Sequence, residues 1–155
     1  MGPCGCWADW ARISDRHGIG VTSVRPRPAL VPRSDRRAAS GLPTGSRGEE
    51  AFADPGAWVG FLDLAPGNSS GWHHHGRWDS YAVVQRGVLR WEFGADGSDA
   101  IEVAAGDTGR MPARVVHRDV SVGDEPLALV LFRAGGDGGP LTIDVDGPDD
   151  GDASA

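Results

Sequence analysis

From Ala57 onward, apolar and polar residues take turns along the chain. In AWVGFLDL, Trp58, Leu62 and Leu64 fall on one side of an extended strand, with Val59, Phe61 and Asp63 on the other. Residues 88–93 repeat the pattern, opposing Leu89, Trp91 and Phe93 to Val88, Arg90 and Glu92. Further strand-like runs cover 80–85, 100–104, 108–111, 115–119 and 127–133, and a last run at 141–145 suits an edge. Turn formers separate them: Pro66-Gly67, Gly87, Gly94-Ala95-Asp96-Gly97 and Gly106-Asp107. No long stretch repeats apolar residues at helical spacing. Several short strands with turns between them predict an all-β sandwich or barrel.

The first third of the chain has a different texture. Pro26, Pro28, Pro32 and Pro43 each lack a backbone donor, so residues 21–50 are expected to hold at most an edge strand and then a long loop. Residues 1–20 show no strand pattern. Trp7 and Trp10 are spaced for one helical turn, but the expectation is a disordered tail. Residues 149–155, acidic and glycine-containing, are expected to be a second disordered tail. This leaves one β-barrel domain over 21–148.

Composition adds exclusions. The chain has 155 residues, and its 24 Gly and 11 Pro suit short elements joined by tight turns. The net charge of -7 is unevenly spread. Residues 1–50 carry 8 Arg against 5 acidic residues, net +3, and residues 51–155 carry 7 Arg against 17, net -10. So acidic a body argues against nucleic acid as a partner. No apolar run is long enough for a membrane-spanning helix, and no signal-peptide segment is seen. The two cysteines, Cys4 and Cys6, lie outside the expected core, which suits a reducing cytoplasm.

The chemistry concentrates in GNSSGWHHHGRWDSYAVVQRG, residues 67–87. His73 and His75 are two apart, which on a strand turns both imidazoles to one face and His74 to the other. Two neutral imidazoles side by side are half of a metal site. His117, on a separate predicted strand, is the candidate third ligand. His74 and His17 are expected at the surface. The tryptophans are expected in packing, and one of Trp72 and Trp78, which flank the histidines, is a candidate to line the pocket mouth.

At these residues the chain resembles the cupin family. That family's first motif runs G, five residues, H-x-H, three or four residues, E, six residues, G; here Gly67, His73, His75 and Gly87 match it. The second motif runs G, five residues, P-x-G, two residues, H, three residues, N; here Gly106, Pro112 and His117 match, while Arg114 stands for the Gly and Ser121 for the Asn. The resemblance implies a double-stranded β-helix, or jelly roll, with a divalent metal ion (Fe, Mn, Ni or Zn) held inside by His73, His75 and His117. The family's glutamate is missing. The spacing that fits both neighbours puts Ser80, a poor ligand, at its position. Asp79, one residue earlier, is the candidate for a fourth ligand or for a partner that fixes a histidine tautomer. Arg114 near the rim and Tyr81 are the candidate substrate contacts.

The resemblance implies a single-domain cupin that acts on or binds a small organic molecule, of oxygenase or isomerase type. The alternative is a non-catalytic small-ligand-binding or sensor cupin without a functional metal centre. The family resemblance further implies a homodimer.

Overall fold

The structure is a computed structural model and describes residues 27–148. The expected tails at 1–20 and 149–155, Cys4, Cys6 and His17 lie outside the described residues. The architecture below belongs to the unit that begins at Val31.

A one-turn 3-10 helix at Arg33–Asp35 precedes the strands. These are β1 (Arg37–Ala38), β2 (Arg47–Asp54), β3 (Ala57–Leu64), β4 (His73–His74), β5 (Asp79–Arg86), β6 (Val88–Phe93), β7 (Asp99–Ala104), β8 (Thr108–Met111), β9 (His117–Val122), β10 (Leu127–Ala134) and β11 (Ile143–Asp144). They form two antiparallel sheets. One has the order β1-β2-β3-β10-β5-β8, the other β11-β4-β9-β6-β7. The architecture is all-β, a double-stranded β-helix with its side chains turned inward from both sheets, as expected.

The two-residue period of the strand decides what lies inside. Along β3, Trp58, Leu62 and Leu64 are buried. Along β6, Leu89 and Trp91 are buried, and along β10, Leu127, Leu129 and Leu131. Together with Ala82, Val84, Val103 and Met111 they make one core. Its packing is close enough to dictate glycine: a Cβ on Gly60 would lie 2.1 Å from the Trp58 ring.

The expected loop over 21–50 is corrected in its second half. β2 is a full eight-residue strand paired along β3. Its sequence RGEEAFAD lacks an apolar stripe because no residue in it is fully buried. Glu50 instead accepts a hydrogen bond from the Trp58 indole at 2.9 Å.

The stretch leading to His117 is a second correction. Val115 and Val116 do not form the strand that carries it. The segment after β8 is a turn, with the Val115 N–H donating to Pro112 O, and β9 begins at His117 itself. Arg114 takes φ 65° in that turn, a left-handed conformation in which glycine is the unstrained residue. This is the physical reason for a glycine at the matching place of the motif. Gly87, with φ 75°, makes the equivalent tight link from β5 to β6, where a Cβ would press on Pro126 O at 3.0 Å.

Candidate metal centre

Three imidazoles meet inside the barrel. β4 is only two residues long, but it pairs with β9 so that His73 and His117 stand opposite each other across the ladder. Their ring centroids are 4.3 Å apart. His75 follows β4 and returns to the same side as His73, with centroids 5.2 Å from His73 and 4.7 Å from His117. One ring nitrogen from each of the three lies within 4.8 Å of the others, and all three residues are buried.

The backbone sets the tautomer. His73 Nδ1 is 2.9 Å from Gly71 O, and His117 Nδ1 is 2.8 Å from Val115 O. A carbonyl oxygen can only accept, so both Nδ1 atoms carry the proton. Each Nε2 is then a bare lone pair, and both Nε2 atoms are buried with no hydrogen-bond partner. A buried polar atom left unpaired costs free energy, and a bound cation removes that cost. For His75 the partner is Ser80, whose Oγ is 2.7 Å from Nδ1. When Ser80 accepts, His75 presents Nε2 in the same way.

Protonation favours ligation. Burial pushes the His117 pKa down to about 4, and Asp119 opposes that shift only in part. Burial likewise drives His75 well below its ordinary value, assisted by the positive field of Arg133. Both rings are neutral at neutral pH, as metal ligands must be. Three imidazole nitrogens suit Fe, Mn, Ni, Cu and Zn, and the residues present fit such an ion.

Two further polar groups face the cluster, and neither stood out in the sequence. Asp119, two residues after His117 on β9, is 7% exposed. Its Oδ2 is 3.9 Å from His73 Nε2, and its Oδ1 is 4.0 Å from His117 Nε2. Oδ1 also accepts a hydrogen bond from Trp91 Nε1 at 2.9 Å. Arg133, on β10, is 1% exposed. The readable signal for both is parity: Asp119 shares its side of the strand with His117, and Arg133 with Leu129 and Leu131.

The other sequence candidates lie elsewhere. Asp79 is not in the cluster. It sits on the outer face of β5, where its carboxylate accepts from Arg110 at 2.9 Å and from the Ala113 N–H at 2.9 Å. The Arg110 hydrogen bond holds its pKa below the usual carboxylate range. Because the strand turns alternate residues to opposite faces, Asp79 outside requires Ser80 inside. Tyr81 shares the outer face with Asp79, its ring 6.2 Å from that of Phe132. Arg114 is exposed in the turn before β9; its charge, after burial and His73, contributes to a lowered pKa at His74.

Residues 60–133 match the family model described as the cupin domain. No curated protein matches the sequence. Among solved structures, a cupin-like protein from Thermotoga maritima superposes with a TM-score of 0.59 at 23% identity, over 70% of this chain and 83% of that one. The polyketide cyclase RemF from Streptomyces resistomycificus gives 0.60 at 16% identity, over 77% and 86%. Bacillus subtilis oxalate decarboxylase, a protein with Mn(II) centres, gives 0.55 at 22% identity, and the match spans 65% of this chain but 28% of that one. At these identities the likeness is one of fold. Among the described residues, no helix is long and apolar enough to cross a membrane.

Proposed function

With a cupin domain formed by residues 60–133, we propose that this protein binds one divalent metal ion through Nε2 of His73, His75 and His117 and uses it on a small organic molecule taken into the barrel. The observation that carries this reading is the pair of buried, unpartnered Nε2 atoms, each fixed as an acceptor by a backbone carbonyl on the far side of its ring. An ion held by these three nitrogens would have positions left for water and substrate. A divalent ion here supplies Lewis acidity and lowers the pKa of bound water. The residues do the rest. Ser80 holds the His75 ring at its Nδ1. Asp119, within about 4 Å of two of the ligand nitrogens, is placed to take a proton at Oδ2. The leucines of the core keep bulk water out. Oxygenation and isomerisation are both open to such a centre.

Metal content of protein expressed without an affinity tag tests the proposal. About one equivalent of ion per chain in the wild type, lost in His73→Ala, supports it. Sub-stoichiometric metal that His73→Ala leaves unchanged overturns it.

A second reading, a non-catalytic ligand-binding barrel, is favoured by Ser80 standing where the family has a glutamate ligand. A thermal-shift screen separates the two. Stabilisation by small ligands that persists in chelator supports the second reading, and stabilisation by Mn(II) or Fe(II) alone supports the first. The proposal includes a cytoplasmic setting and a pair of copies joined through their sheets. The exposed Val83 and Phe132 on the outer face of the larger sheet support the pairing, and light scattering tests it.

A further inference from the structure

Arg133 is a charged side chain in the place of a core residue. It continues the inward row of Leu127, Leu129 and Leu131 along β10 and is 1% exposed. Burying a guanidinium is costly unless its donors are paired and its charge is balanced. Among the described residues both conditions are met only in part, and the charge has the Trp58 ring face 5.7 Å away as a cation–π partner. NH1 donates to Leu141 O and to Thr142 Oγ1, but Nε has no partner. Among the described residues, no carboxylate lies within salt-bridge distance of it. Asp119 is close enough to be felt, yet burial still pulls the Arg133 pKa down to about 10. The guanidinium therefore stays charged at neutral pH and under-compensated.

What lies in front of it is the His75 side of the candidate centre. Arg133, His75, Ser80, Asp119 and Trp91 border one internal cavity of about 10 Å³, room for roughly one water-sized atom. A bound divalent ion at the histidines would add positive charge to the same space. Asp119 alone does not balance both, and its Oδ1 is already engaged by Trp91. An anionic oxygen is the group of the right size and sign for this cavity.

We infer that Arg133 is an anion-binding wall, and that the small molecule taken into the barrel carries a carboxylate with one oxygen drawn to the Arg133 guanidinium. The inference deepens the proposed function by naming its substrate class, and it rests on that reading for the second anchor at the histidines. A guanidinium recognises a carboxylate through charge-assisted hydrogen bonds that a neutral amide does not replace. A purely structural Arg133 would be accounted for by NH1 and the Trp58 ring face, and would leave the buried Nε unused.

The test is calorimetric titration of the full chain, metal-loaded with Mn(II), using propanoate, propanamide and inorganic phosphate, with metal content measured on the same samples. Propanoate is expected to bind at least about tenfold more tightly than propanamide or phosphate. Arg133→Met is expected to lose about tenfold or more in propanoate affinity with its metal content unchanged, and Arg133→Lys to retain part of it. Equal binding of acid and amide by the wild type overturns the inference with no variant needed. So does unchanged propanoate affinity in a folded Arg133→Met, and normal metal content in either case leaves the metal centre standing. Preference for phosphate overturns the carboxylate assignment. Should the wild type take up no metal, the proposed function fails, while propanoate binding that depends on Arg133 in the same samples still supports the anion wall.

Discussion

Asp79 and Ser80 are chain neighbours with opposite fates. Asp79 is on the outside of β5 in an ion pair with Arg110, and its side chain is 31% exposed. Ser80 is fully buried with its hydroxyl on the His75 ring. By type alone, the carboxylate is the better ligand and the hydroxyl the worse one. The pleat reverses their importance: position relative to the sheet decides which residue reaches the centre, and chemistry acts only on what position allows. The inner face holds a few polar groups that cannot be exchanged for water, and the outer face holds charges that can.

The largest break in this contrast is His117→Ala. It is expected to abolish stoichiometric metal, weakening affinity by more than the about 10–100-fold that loss of an outer partner costs. Metal analysis after dialysis checks it.

Acid is expected to act next most strongly, and on the inner face first. In the metal-free protein His117 is held at about 4 when folded and has its ordinary value of 6.5 when unfolded. Between those values the unfolded chain takes up a proton that the folded chain refuses. Stability is therefore flat above about pH 6.5 and falls as the pH drops toward about 4, by on the order of 3 kcal/mol from this ring. Denaturant midpoints across that range measure it. Asp79, whose pKa is lowered, contributes only above its unfolded value of 3.8, and that contribution is lost below it. A stability curve that is level from pH 6.5 to 4 would erase the distinction between the faces.

Ser80→Ala sharpens the comparison. It is expected to cost about 10–100-fold in metal affinity by freeing the His75 ring, and about 1–3 kcal/mol in stability by leaving Nδ1 unpaired. The smallest effect is expected from Asp79→Asn, under about 1 kcal/mol, because exposed ion pairs are worth little, with metal content unchanged. If Asp79→Asn lost metal and Ser80→Ala kept it, the assignment of the two faces would be reversed.

Much of the architecture was legible because burial on one face writes itself as alternation. β3 and β6 carry that signature plainly, with Trp58, Leu62, Leu64, Leu89 and Trp91 all inside. β2 does not, since Arg47 and Glu49 on one face and Glu50 on the other interrupt any apolar stripe even where it pairs along a full neighbour. The histidines were legible because their spacing carries both strand parity and a family motif. Ser80, Asp119 and Arg133 were harder to see. A polar residue on an inward position looks like an ordinary surface residue until the register of its strand is fixed. The counts around position 80 left that register open by one step. Asp79 and Tyr81 share the parity of β5 that turns outward, and Ser80 has the other.

Trp91 shares Asp119 with the histidines, through the bond from its indole N–H to Oδ1. Indole emission responds to the charge and spin held beside the ring. An ion held at the proposed site would therefore be felt by this ring. Loading with Mn(II) is expected to dim tryptophan fluorescence in step with binding, and Trp91→Phe to remove most of that dimming while the remaining tryptophans keep emitting. Such dimming would follow filling of the proposed site in real time, without a label and before any substrate is known.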